Sequence, residues 1–343
     1  MLDDLKLIND RDPQDALGIA AKEWQQLDLH VELPKDDFKP SNIVYSGMGG
    51  SALAAQLAMT WPGFDLPFEI SKNYELPRYV NENTLVILSS YSGNTEETLS
   101  SMDDAEKKGA KIYVIGNGGQ IIDRAKNKNY PYVLVPDSNQ PRYSVFYQLM
   151  CIVSILEALG MVQAESVRNE LENAKEMLKE QADKLTSTVP LKENLAKQLA
   201  TEVSGKSVVI YSGPKMSPAA YKWKISFNEN AKQIAWYNVL PEFNHNEFIG
   251  WTEQPVIKPY CVLDLRSSLD NPRVQKRFEI TDRLLSGKRP KAISINLVGD
   301  THLEQMLYAV MLGDFASIYA AILTGVNPIS VDLIEKLKEE LKK

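Results

Sequence analysis

Cysteine and histidine are scarce in this 343-residue chain. The two cysteines, Cys151 and Cys261, have no C-x-x-C partner and no neighbouring histidine. Neither a disulfide scaffold nor a zinc site is readable from them. Basic charge is also short: 38 Lys and Arg against 45 Asp and Glu give a net charge of −7. Nucleic-acid binding needs clustered bases to meet phosphates, so that class is disfavoured. No uncharged run reads as approaching the ~20 apolar residues that span a bilayer. The start, MLDDLKLINDRDPQDAL, carries acids where a signal peptide has bases and a long apolar run. The expectation is a soluble cytoplasmic protein with no metal, no cofactor, no nucleic-acid partner and no membrane partner.

What remains is ordinary globular composition, 44% hydrophobic and 24% charged, which excludes disorder for the bulk of the chain. At ~150 residues per domain the length suits two domains or one large α/β unit. Residues 12–26 read as a leading amphipathic helix. Strands follow at 42–46, 84–88, 111–115 and 132–135. Helices are expected from Ala52 to Met59, from Glu96 to about Lys108, and from about Tyr143 to Leu159. Strand and helix in alternation mean a mostly parallel sheet with helices on both faces. A charged helical stretch with one break, at Pro190, reads either as an inter-domain connector or as a helical hairpin packed on one domain. The second half repeats the first. Strands at 207–212, 260–265 and 291–298 echo those at 42–46, 84–88 and 111–115, and a helix starts near Ser217-Pro218. The pattern is an internal duplication. Its second copy has Leu269-Asp270-Asn271 where the first has a Ser/Gly/Thr loop.

Ser90-Tyr91-Ser92-Gly93-Asn94-Thr95 places three hydroxyls between the end of a strand and the start of a helix. Unpaired backbone N–H groups and the helix dipole favour an anion there, and Gly93 allows a tight turn. The motif suits a phosphate monoester; the plainer alternative is an N-cap. It lacks the Lys of a nucleotide P-loop. Gly47-Met48-Gly49-Gly50-Ser51-Ala52 fits GxGxx[GA], with Glu69 about 20 residues on, which is formally a dinucleotide fingerprint. It equally fits a glycine turn that brings backbone against a sugar phosphate, with Ser51 adding a hydroxyl. Both loops follow successive parallel strands, so one small phosphorylated ligand could touch both.

His30 lies in an acidic loop-like region, and His302 opens a helix that it would cap. His245 sits in the polar run Pro241–Glu247 and reads as structural or catalytic. Glu229, near the end of a helix with Trp223, Ile225 and Phe227, is either a partly buried carboxylate with a raised pKa or part of a solvated face.

SGMGGSA (46–52), SSYSGNTEET (89–98), PRYS (141–144), NENAK (228–232) and FNHNEF (243–248) together resemble the bifunctional phosphoglucose/phosphomannose isomerase family, built from two sugar-isomerase (SIS) subdomains. NENAK followed at sixteen residues by the histidine of NHNE is the most specific of these. The resemblance implies two doubly wound, flavodoxin-like α/β subdomains. It divides the chain into an N-terminal subdomain at 1–160, a helical connector at 161–203 and a C-terminal subdomain at 204–343. It implies that Ser51, Ser90, Ser92 and Thr95 hold the substrate phosphate and that Gly49 and Gly50 lie against the sugar. Glu229 would move the proton between C1 and C2, and Arg142 would stabilise the enediolate. His245 would assist ring opening from the partner subunit of a homodimer. A C-terminal lysine would help: Lys338 by its stripe with Val331, Ile334 and Leu341, or else Lys336. The family commonly has a threonine-containing DPTPV-like run before this helix. Here it reads Asn327-Pro328-Ile329-Ser330-Val331, which leaves mannose 6-phosphate activity open.

The implied reaction is metal-independent interconversion of fructose 6-phosphate with glucose 6-phosphate and mannose 6-phosphate, through a cis-enediol(ate). The rivals are a non-catalytic sugar-phosphate sensor, a nicotinamide dehydrogenase built on the glycine motif, and a ketose-phosphate aminotransferase module, which would need a second, ammonia-producing domain.

Overall fold

Runs of β-branched and apolar residues bounded by glycine, serine or asparagine form the strands, and the longer Ala/Leu-rich or charged runs between them form helices. The computed structural model describes residues 1–138, 140–252 and 259–341. The helices are α1 (Leu5–Arg11), α2 (Ala16–Ala20), α3 (Gly49–Thr60), α4 (Glu96–Lys107), α5 (Gly119–Asn127), α6 (Val145–Ala158), α7 (Ala164–Asp183), α8 (Leu195–Val203), α9 (Ser217–Glu229), α10 (Glu247–Gly250), α11 (Pro272–Leu284), α12 (His302–Thr324) and α13 (Asp332–Leu341). The strands are β1 (Asn42–Ser46), β2 (Phe68–Ser71), β3 (Thr84–Ser90), β4 (Lys111–Gly116), β5 (Tyr132–Leu134), β6 (Ser207–Ser212), β7 (Ala235–Val239), β8 (Tyr260–Arg266) and β9 (Ile293–Asn296). Every pairing between these strands is parallel, in two sheets ordered β2-β1-β3-β4-β5 and β7-β6-β8-β9. Parallel pairing requires crossovers, and helices supply them except between β2 and β3, where residues 72–83 form no helix. The expected α/β class with two doubly wound sheets is the one observed, and the first has the flavodoxin-like order.

The chain forms two compact units, Glu23–Glu176 and Met1–Lys22 with Met177–Lys343. In the first, Val44, Val86, Leu88, Ile112 and Val114 pack against Met102 and Ala105 of α4 and Ile121, Ile122 and Ala125 of α5. The alternate residues Ile43, Tyr45, Leu85, Ile87, Tyr113 and Ile115 are equally buried on the other face, the side of α3 and α6. In the second unit, Val209, Tyr211 and Val262 pack with Val274 and Phe278 of α11. Helices α8, α9 and α12 pack together in the same unit.

Residues 1–22, assigned from sequence to the first half, lie with the second. Arg11 Nη1 donates to the carbonyls of Ile322 at 2.6 Å and Leu323 at 3.2 Å, satisfying the C-terminal end of α12. The single leading helix expected at 12–26 is instead α1, α2 and a 3-10 segment, Glu23–Asp28. The Asp12 carboxylate accepts the N–H groups of Ala16 and Leu17 at 2.8 and 2.9 Å, and Asp15 is left-handed at φ 54°. The chain therefore restarts there. The 161–203 stretch is two helices, of which α8 packs on α12 in the second unit. Helix α12 corrects the expectation about apolar runs. By length and composition it could cross a membrane, yet 94% of its most apolar 18-residue window is buried inside the fold.

Lys197 of α8 is wholly buried. Its Nζ donates to the carbonyls of Ser187 at 2.8 Å and Val189 at 2.7 Å and pairs with Asp3 at 3.0 Å. Lys197→Met would leave the two carbonyls without this donor. Denaturant unfolding should show a loss of about 2–4 kcal/mol, and proteolysis should release the first residues earlier than in the wild type.

Candidate active site

In the Glu23–Glu176 unit the strand order reverses between β1 and β3, where α/β sheets open a crevice at the carboxyl ends of their strands. Both sequence motifs meet there. The Ser51 hydroxyl, at the start of α3, accepts the N–H of Tyr91 at 3.1 Å and so joins the two loops. Ser90 Oγ lies 2.8 Å from Thr95 Oγ1 and accepts N–H groups from Gly93 at 3.1 Å and Thr95 at 3.4 Å. Ser51 and Ser90 are buried, Thr95 is half-buried, and Ser92 is exposed, its hydroxyl oxygen accepting the Asn94 N–H at 3.4 Å. Thr95 occupies the N-cap position of α4 but makes no side-chain capping bond. Simple capping is therefore not what holds these hydroxyls. They face the amino end of a helix whose first-turn N–H groups lack intrahelical partners, a place suited to an oxyanion.

The glycines are needed for close approach. Gly93 is left-handed at φ +73°, and a Cβ on it would lie 1.7 Å from the Gly118 carbonyl oxygen. A third loop, Gly116–Gly119 at the end of β4, thus closes on the hydroxyl loop. A Cβ on Gly50 would come within 2.8 Å of Pro141 C and 3.0 Å of Arg142 N. That packing brings the Pro141–Tyr143 turn to the same edge. Arg142 is 1% exposed, its guanidinium 4.8 Å above the Tyr143 ring and its Nη1 3.3 Å from Gln140 Oε1. Gly49 is exposed, with open space where a Cβ would stand. Glu69, the acid of the dinucleotide reading, lies on edge strand β2 and accepts the Tyr79 hydroxyl at 2.6 Å.

The other candidates lie in the second unit. Glu229 is the last residue of α9 and is half-buried, whereas Trp223, Ile225 and Phe227 are fully buried. His245 ends the 3-10 turn Glu242–His245 and is exposed. Its neighbours are anchored: Asn244 Nδ2 donates to Thr281 Oγ1 at 2.9 Å and Asn246 Nδ2 to Glu242 Oε1 at 2.6 Å. Lys338 requires a correction. Its stripe was read as the packed side of the C-terminal helix, but no residue of α13 is buried, and Lys338 pairs with Glu335 at 2.8 Å. Lys336 is exposed as well; Lys342 and Lys343 lie outside the described residues. Ser330 is half-buried in a turn where Asn327 Oδ1 accepts N–H groups from Ile329 and Ser330 at 2.8 and 3.3 Å. Thr301, not His302, caps α12, through a capping box with Glu304. Both ring nitrogens of His302 are buried without a hydrogen bond among the described residues, and burial pushes its pKa down to about 4.

The second sheet has its own reversal, between β6 and β8. The registers Ser46↔Leu88 and Ser212↔Leu265 place Ser90 and Ser267 at equivalent positions. Asp270 N donates to Ser267 O at 3.3 Å as Gly93 N donates to Ser90 O at 3.1 Å. Asp270 thus stands where the first loop has Gly93. Its carboxylate is buried against Gly213, whose added Cβ would be 2.1 Å from Oδ2, and neither oxygen has a hydrogen-bond partner among the described residues. Burial pushes this carboxyl up to about 6 against the pull of Lys215 and Arg266. The second crevice is filled by an internal acid. Among the described residues, no group of three or more His, Cys, Asp or Glu could hold a metal.

The two parallel sheets are those of a protein of the SIS class, as the family models show. The model for the SIS domain matches residues 38–156, and that for the bacterial phospho-glucose isomerase C-terminal SIS domain matches residues 192–341. The chain belongs to the bifunctional phosphoglucose/phosphomannose isomerase family. It is 36% identical to the Bifunctional phosphoglucose/phosphomannose isomerase of Aquifex aeolicus (strain VF5), over 94% of this chain and 95% of that one. It is 29% identical to the D-glucosamine-6-phosphate 4-epimerase of Sulfolobus acidocaldarius over 65% of this chain and 70% of that one. In fold it resembles a glucose-6-phosphate isomerase like protein from Thermus thermophilus, with TM-score 0.68, 18% identity and 98% of both chains covered.

Gly93→Ala should add left-handed strain of about 1–2 kcal/mol to a backbone collision. The expected result is a lower melting temperature and loss of measurable binding of inorganic phosphate by calorimetry. Asp270→Asn should act in the opposite direction on stability. Because the folded pKa, about 6, exceeds the unfolded value of 3.8, ionisation favours the unfolded chain. The penalty is absent below the unfolded pKa, grows as pH rises, and is complete above the folded one. At about 1.4 kcal/mol per unit it is on the order of 2–3 kcal/mol. Thermal unfolding at pH 8 should therefore show the Asn variant above the wild type, with the gap closing near pH 4.

Proposed function

We propose that this protein interconverts fructose 6-phosphate with glucose 6-phosphate and mannose 6-phosphate. The observation that carries the reading is the hydroxyl cradle at the β1/β3 crevice, in a chain that matches such isomerases over nearly all its length. Ser51, Ser90, Ser92 and Thr95 hold the phosphate, donating hydrogen bonds without adding charge. Gly49 and Gly50 admit the sugar against backbone. Glu229 removes a proton from the carbon next to the carbonyl and returns it to the neighbouring carbon. The cis-enediolate carries charge, and the Arg142 guanidinium, which does not deprotonate, stabilises it. His245 shuttles a proton between the ring oxygen and the anomeric hydroxyl during ring opening, with Lys338 assisting. Glucose 6-phosphate and mannose 6-phosphate differ only at C2. An enediol free to turn about C2–C3 accepts the proton on either face, and Ser330 supplies the hydroxyl that the family's threonine would give.

His245 acts across a homodimer interface. Support comes from the apolar surface flanking it in sequence, where Ile234, Trp236 and Ile249 are 60%, 51% and 69% exposed. Trp236 is on edge strand β7, whose outer backbone edge invites pairing or cover.

The deciding experiment incubates the protein with fructose 6-phosphate in D2O and EDTA and follows it by proton NMR. Glucose 6-phosphate and mannose 6-phosphate should appear together with deuterium at C2. Glucose 6-phosphate alone would restrict the enzyme to one aldose, and binding without turnover would leave a sensor. Glucosamine 6-phosphate, run in parallel, should give no 4-epimer. Glu229→Gln should lower turnover by about 10²–10⁴-fold while phosphate binding is kept.

A further inference from the structure

Helix α9 turns a polar stripe toward α12. Lys222, Ser226 and Asn230 recur every fourth residue and so share one face. On α12 they meet Asp314 and Ser317. Lys222 Nζ donates to Asp314 Oδ1 and, at 2.9 Å, to Ser226 Oγ. Ser226 Oγ donates to the same Asp314 oxygen at 2.6 Å. Asn230 Nδ2 donates to Ser317 Oγ at 2.9 Å, and Ser317 Oγ donates to the Asp314 carbonyl at 3.0 Å. All five residues are at most 1% exposed, and the rest of α12 around them is apolar, with Val310, Phe315 and Ile318 fully buried.

Stability does not account for this arrangement. Removing two ions from water costs several kcal/mol per ion, and in proteins an apolar pair of similar volume often serves a fold as well or better. Among the described residues Asp314 Oδ2 has no hydrogen-bond partner, which adds to the cost. Direction is what the network supplies. Apolar helix faces tolerate repacking and lose uniqueness before they lose stability. Hydrogen bonds at three successive turns instead fix both the rotation and the height of α9. The last fixed point, Asn230, is the residue after Glu229.

We propose that Lys222, Ser226, Asp314, Asn230 and Ser317 are positioning residues that set the aim of the Glu229 carboxylate. This rests on Glu229 being the base. A misplacement of about 1 Å at a proton-transferring group can lower turnover by about 10²-fold.

The test is the double variant Lys222→Met/Asp314→Leu, measured as glucose 6-phosphate formation from fructose 6-phosphate. The melting temperature should be equal to or above that of the wild type. KM should stay within about twofold, because the residues that hold the phosphate are untouched, while kcat should fall by about 10- to 100-fold. Ser226→Ala, a far smaller change, should lower kcat by about tenfold with the same unchanged KM; it decides the matter if the double variant does not fold. A folded double variant or a folded Ser226→Ala with full kcat overturns the proposal. Glu229→Gln, assayed alongside, separates the two readings. If it is inactive while the network variants are fully active, the positioning role fails and the base stands. If it is active, the base assignment fails and the positioning role falls with it.

Discussion

The bond from the Tyr91 amide to the Ser51 hydroxyl is the join on which the candidate site depends. It ties the loop after β1 to the loop after β3, and these are the two loops that the strand order separates to opposite directions. Without it the glycine turn and the hydroxyl loop are separate features, each with an ordinary explanation. With it, Ser51, Ser90 and Thr95 share one edge of one sheet. The close packing of Gly93 on Gly118 and of Gly50 on Pro141 then follows, because both loops must lie low enough for their polar groups to converge. A side chain at either glycine would lift its loop away from the edge. The site is therefore built from backbone proximity, and its hydroxyls are placed by it.

The duplication shows what happens when that constraint is relaxed. The second unit keeps the strand order around its reversal and keeps Ser267 in the place of Ser90. It replaces the glycine of the turn by Asp270, whose carboxylate packs on Gly213. A negative group already inside a crevice repels an incoming phosphate, so the two copies can divide their labour. One is free to hold an anion. The other presents α9 and the turn carrying His245, where proton transfer is proposed.

Much of this was legible from sequence, for physical reasons that differ by element. Strands β1, β3, β6 and β8 are buried on both faces and read as apolar runs, broken in β8 only by the buried Asp264. Strands β2 and β7 were missed because FEIS and AWYNV carry no such run, whereas the equally exposed edge strand β5 was read from its Tyr132–Val135 run. Of helix α12 only the start at His302 was legible, because apolar residues cover most of its circumference and its buried Asp314 and Ser317 leave no solvent-facing stripe of 3.6-residue period. The hydroxyl loop was legible because three hydroxyls and a glycine at a strand–helix junction have few uses. The roles of Gly118 and Asp270 were not, since each acts through space on a glycine far away in sequence. The stripe of Val331, Ile334 and Leu341 was read as packed around Lys338, yet an apolar stripe says only that a face is apolar, not what covers it. Among the described residues nothing buries it.

The buried polar groups separate along the same line. Lys197 gathers the carbonyls of Ser187 and Val189 and the Asp3 carboxylate, which secures the first residues of the chain to their unit. Such a cation replaces water around carbonyls that no regular element satisfies. Lys222 and Asp314 satisfy no orphaned backbone; they satisfy each other, between two helices that apolar packing alone would hold together. Asp270 satisfies nothing and is satisfied by nothing among the hydrogen-bonding groups around its carboxylate. The three cases rank by what their removal would do. Losing the first exposes backbone polar groups and weakens the unit. Losing the second leaves a sound core with one fewer constraint on orientation. Losing the third relieves a penalty. A buried charge in this fold is thus informative about function only where the fold would stand as well without it, and α9, which ends at Glu229, carries such a charge.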